Sequence, residues 1–83
     1  MTIGLLKKLI EDNNISSIHY RLMCNGLPDE KLCIYEDEEL LWHVYYSERG
    51  KRSKEIIFTN ESEACNYFWQ KISRYGSGSK NSS

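Results

Sequence analysis

Nine consecutive residues, Trp42-His43-Val44-Tyr45-Tyr46-Ser47-Glu48-Arg49-Gly50, constrain the fold of this chain more than any other stretch. Rings and a β-branched side chain dominate its first part, and it closes on a charged, Gly-containing turn. Such side chains pack best on a pleated, half-buried surface and lose rotamer freedom in a helix. The stretch therefore predicts a strand. Alternation places Trp42, Val44, Tyr46 and Glu48 on one face and His43, Tyr45 and Ser47 on the other. The first set is heavier and more apolar, so it is expected to face the core. Gly50 is expected at positive φ in the turn that follows.

The rest of the chain supplies partners for this strand. Thr2 is a plausible N-cap for a helix from Ile3 to about Asp12, with Ile3, Leu6 and Ile10 at helical spacing and Asn13-Asn14 as its stop. Ile18 to Cys24 alternates as a first strand, and Asn25-Gly26-Leu27-Pro28-Asp29 has turn chemistry. Lys31 to Glu36 is a second strand, in which either Leu32 and Ile34 or Cys33 and Tyr35 face inward. Glu55 to Thr59 is a fourth. Asn60-Glu61-Ser62-Glu63 reads as a capping box that starts a second helix running to about Arg74, with Ala64, Phe68 and Ile72 as its apolar stripe and Gly76 as its end. Short strands with short links predict an α+β domain of order α-β-β-β-β-α, a four-stranded antiparallel meander with both helices on one face. One domain spans residues 1–75, followed by a flexible polar tail over 76–83. The face bearing His43 and Tyr45 is expected to be the more open one.

Composition narrows the function classes. At 83 residues the chain has room for a single domain. It shows neither a run long enough to cross a membrane nor a secretory apolar core, so a cytoplasmic protein is expected. Three scattered cysteines with no C-x-x-C pair point to reduced, buried thiols, with no metal site and no cofactor. A net charge of −1 conceals a segregation. Six acids lie between Asp29 and Glu39 against Lys31 alone, and four bases between Arg49 and Lys54 face no acid. His19 and His43 are the available general bases, but nothing ties them to a nucleophile, a paired carboxylate or a phosphate-binding loop, so no catalytic residue is assigned. The helix–strands–helix order is similar to that of the double-stranded-RNA-binding domain, which makes a small nucleic-acid-binding module the alternative reading. Glu61 and Glu63, where that module needs cations at the start of its last helix, weigh against it.

The run WHVYYSERG, followed by a Lys-rich turn, Phe58 and then Glu61-Ser62-Glu63-Ala64-Cys65, resembles small immunity proteins encoded beside bacterial polymorphic toxins of the contact-dependent growth inhibition type. The resemblance covers Cys33 to Phe68. It implies an inhibitor without chemistry of its own that binds and neutralises one cognate toxin domain, which is often a nuclease, by direct protein–protein contact, with a monomer favoured. It does not supply contact residues, because such families vary where they touch the toxin. Charge and topology supply candidates instead. A nuclease must present a basic cleft, so the acidic turn Glu36, Asp37, Glu38 and Glu39 is expected to meet it, with Tyr35 or Tyr45 as an aromatic anchor beside it. Trp69, one residue off the helix stripe, is a further candidate contact. In a meander the acidic turn would lie at one end of the sheet, and the basic turn and the Asn25–Glu30 segment at the other.

Overall fold

The structure, a computed structural model, describes residues 1–75; the expected polar tail and Gly76 lie outside them. Helix α1 (Ile3–Asp12) leads through a short 3-10 turn (Ser17–His19) to β1 (Tyr20–Leu22), β2 (Lys31–Glu36), β3 (Trp42–Glu48) and β4 (Lys51–Phe58), and α2 (Glu61–Ile72) ends in a 3-10 turn. The fold is α+β, and its four strands lie in chain order across one sheet.

The helix starts follow from their caps. Thr2 Oγ1 accepts from Leu5 N at 3.2 Å, and Asn60 Oδ1 accepts from Glu63 N at 2.8 Å. The carboxylate engaged at the second cap is that of Glu61, which accepts from Ile3 N at 2.7 Å and so joins the two helix N-termini. Asn14, at φ 58, turns the chain after α1. Leu6 and Ile10 from α1 and Ala64, Cys65, Phe68 and Ile72 from α2 share one buried core with Ile34, Trp42 and Val44.

Strand order agrees with the expected meander, but the direction of β1 does not. β2–β3 and β3–β4 are antiparallel; β1 runs parallel to β2, with Tyr20 opposite Leu32 and Leu22 opposite Ile34. The sheet is mixed. Asn25-Gly26 forms no two-residue hairpin: positive φ falls at Met23 (54°) and Glu30 (53°), at the two ends of the connection. Because β1 has three residues, the return path is only about 10 Å at roughly 3.3 Å per residue. The segment from Met23 to Glu30 covers that distance without a helix. As a consequence it starts at the acidic end of the sheet rather than lying wholly at the basic end.

That segment also closes the face expected to be open. Cys33, Tyr45 and Ser47 on it are fully buried. The Tyr45 hydroxyl donates to the Gly26 carbonyl at 2.6 Å and lies 3.0 Å from that of Cys24. Periodicity left open which set of β2 faces inward, and both are covered: Ile34 lies against the helices, Cys33 beneath the 23–30 segment.

Two irregularities shape β4. Arg49 and Gly50, at φ 51° and 78°, join Glu48 to Lys51 with the pair of positive φ values that a type I′ hairpin needs. Farther along, Val44 pairs with Ile56 and Tyr46 with Ser53, which leaves Lys54 and Glu55 together opposite Tyr45. This is a β-bulge, and Lys54 takes a positive φ of 57° within it.

Candidate functional site

Residues three apart on a regular strand point to opposite faces, so Arg52 and Glu55 should not meet. The bulge inserts one residue between them and puts both on the face covered by the 23–30 segment. There Arg52 Nη1 lies 3.0 Å from Glu55 Oε2. Glu55 Oε2 in turn lies 2.8 Å from His43 Nδ1, and His43 Nε2 lies 2.7 Å from Asp37 Oδ2. The imidazole is thus clamped between two carboxylates. Tyr35 stacks on it, with ring centroids 4.5 Å apart and planes 9° from parallel.

Asp37 links this clamp to the acidic turn. Its Oδ1 accepts from Glu39 N at 2.8 Å and Leu41 N at 3.0 Å, while Leu41 O accepts from Asp37 N at 2.8 Å. One carboxylate therefore shapes the turn and anchors it to the sheet. Arg52 ties down the other side: its guanidinium donates to the Tyr35 hydroxyl at 3.1 Å and to Asn25 Oδ1, and lies 4.2 Å from the Tyr45 ring centroid.

The charges respond accordingly. Burial works against a charged His43, but the bonds to Asp37 and Glu55 outweigh it and raise the imidazole above its ordinary value of 6.5. The bond from His43, with the Leu41 amide, holds Asp37 below its ordinary value of 3.8. Burial pushes the Cys33 and Cys65 thiols up to about 11, so both are protonated and inert at neutral pH. No group of three or more His, Cys, Asp and Glu side chains is arranged to hold a metal ion among the described residues.

The acidic-turn residues fall into two groups. Asp37 is committed to the clamp and the turn. Glu36, Glu38 and Glu39 are exposed, and none of them enters a salt bridge among the described residues. Together with Tyr35, Met23 and Asn25 they line an open depression of about 560 Å³. Leu40, at φ 66°, projects beside them with 67% of its surface exposed.

Of the predicted contact residues, Tyr35 and Glu36 to Glu39 are brought together. Tyr45 is not available as an anchor, because it is fully buried with its hydroxyl turned into the 23–30 segment. Trp69 is half-buried against the core on the helix side, so the sheet stands between it and Tyr35. Sequence reasoning missed Arg52, Glu55 and Asn25, and weighed His43 only as a general base. Strand register would have put His43 beside Tyr35, but nothing in the sequence announces the bulge. Comparison with known families, curated proteins and solved structures found no match.

Proposed function

We propose that this chain is an immunity protein of the contact-dependent inhibition type. In this reading it is a cytoplasmic, monomeric bacterial inhibitor that binds one cognate toxin domain and blocks it without chemistry of its own. The WHVYYSERG and E-x-E-A-C resemblance supports the class. The observation that carries the mode of action is the build of the β2–β3 turn. Three exposed carboxylates and the exposed Leu40 sit at or beside a turn that Asp37 fastens to a stacked, hydrogen-bonded layer. A tip fixed before binding loses little entropy when it docks, and its charge favours a basic partner surface such as a nuclease substrate cleft. No helix is long and apolar enough to cross a membrane among the described residues. The double-stranded-RNA-binding alternative is less well supported. At the start of α2, where phosphate would have to bind, Glu61 holds Ile3 N and Ser62 accepts from the N-terminal amine at 3.0 Å. Co-expression with the product of the gene immediately upstream tests the proposal. A stable complex in which the toxin's activity is lost is expected, and a toxin that neither binds nor is inhibited would refute it.

A further inference from the structure

At the other edge of the sheet, β1 pairs with β2 alone, so no strand lies along its outer side. An open groove of about 450 Å³ runs there between β1 and the first turns of α1. Ile3, Tyr20, Leu22 and the half-exposed Met23 give it an apolar lining. Its charged lining residues are Lys7 and Arg21, with no Asp or Glu among the described residues. Neither cation forms a salt bridge among the described residues. Arg21 Nη1 donates to the Ser17 and Tyr20 carbonyls, at 3.0 Å each, which holds the guanidinium at the groove and leaves the rest of its fork for a carboxylate. Gly4 forms part of the wall. Glycine is a poor helix former, yet nothing within the chain requires it here. Its backbone is helical, and an added Cβ would meet nothing closer than Thr2 Oγ1 at 4.0 Å. What the missing side chain does provide is room for another backbone to approach α1.

We propose that this groove docks an extended segment of a partner protein, in which apolar residues alternate with Asp or Glu, along the free side of β1. The unpaired side of an edge strand accepts such a segment through main-chain bonds, and pockets for its side chains set the sequence. β1 has only three residues, so the side chains must supply much of the selectivity. Alternate side chains of a strand point in opposite directions. One set then enters the apolar lining, and the other brings carboxylates to Lys7 and Arg21. The chain's own residues 76–83 carry Lys80 but no acid and no apolar side chain, so they do not match this chemistry. The inference is independent of the acidic turn, whose charge suits a partner surface of the opposite sign.

The test is selection of a random heptapeptide display library on the full chain, followed by chemical-shift titration with the enriched peptides. Sequences that alternate apolar residues with Asp or Glu are expected, and they should shift the amides of Gly4, Lys7, Tyr20, Arg21 and Leu22 saturably. Lys7→Glu and Arg21→Glu, both at exposed positions, should each weaken binding about tenfold with the amide spectrum otherwise kept. Gly4→Gln should weaken it at least tenfold while raising Tm, because the side chain fills the groove and favours the helix. A merely structural role for Gly4 would not set binding against stability in this way. A library that yields no acidic–apolar sequences would overturn the proposal, as would shifts outside the groove or binding indifferent to these substitutions. Self-association of the free chain that is lost in Leu40→Ser would overturn it too, by making the occupant the acidic turn of a second copy.

Discussion

His43 is the residue on which the polar layer turns. A neutral imidazole donates from one nitrogen only, so the bonds to Asp37 and Glu55 are both made well only when the ring is protonated. Its raised value means that the contribution to stability is full below the unfolded value of 6.5 and is lost as pH rises through the folded midpoint. Asp37 works in the opposite sense: its contribution is present above 3.8 and is lost as pH falls through its lowered folded midpoint. The clamp is therefore firmest in mildly acid solution. An NMR titration of the His43 ring should show a midpoint above 6.5, and Asp37→Asn should lower it. A midpoint at or below 6.5 in the unmodified chain would show that the carboxylates do not hold the ring. Tyr45 gives a second check at this scale. Tyr45→Phe removes a buried donor from two loop carbonyls and should cost about 1–3 kcal/mol in denaturant unfolding, with faster amide exchange across residues 23–30. Unchanged exchange would mean that the segment is held by other contacts.

Among the elements, the helices, β2 and β3 were legible because local chemistry and burial agree there. Thr2 and Asn60 cap, Asn14 stops, and Trp42 and Val44 alternate with His43 in the pattern the core requires. Two features were not legible. The direction of β1 depends on where the 23–30 segment finds donors and cover, and those are Tyr45 and Arg52, which are distant in sequence. The bulge at Lys54-Glu55 depends on a backbone state that Lys seldom adopts, so β4 begins at Lys51 instead of Glu55 as expected. Gly50, by contrast, takes the positive φ that was expected, and a methyl group added there would meet nothing within 4 Å. Gly50→Ala should therefore cost only the left-handed backbone penalty, about 1–2 kcal/mol. Phe68→Ala should cost about 3–5 kcal/mol, because its ring is fully buried in the core shared by both helices and β3. Equal losses in the two variants, measured by thermal or denaturant unfolding, would be inconsistent with this division between turn and core.

For the molecule as a whole, the parallel β1 brings Met23 and Asn25 to the acidic end, so the proposed docking surface draws on two segments rather than one turn. The acids themselves were legible as a charge run, but their division of labour was not. Only the geometry separates Asp37, which builds the turn, from Glu36, Glu38 and Glu39, which are exposed beside it. Substituting Asp37 would therefore disturb the turn as well as its charge, and it is a poor probe of steering. The decisive measurement is the association rate with the cognate toxin as a function of ionic strength, comparing the unmodified chain with Glu36→Lys/Glu38→Lys/Glu39→Lys. Electrostatic steering through the tip requires the triple variant to associate about tenfold or more slowly at low salt and to lose its salt dependence, with unfolding unchanged. An unaltered rate and salt dependence in a folded triple variant would place the toxin-binding surface elsewhere on the molecule.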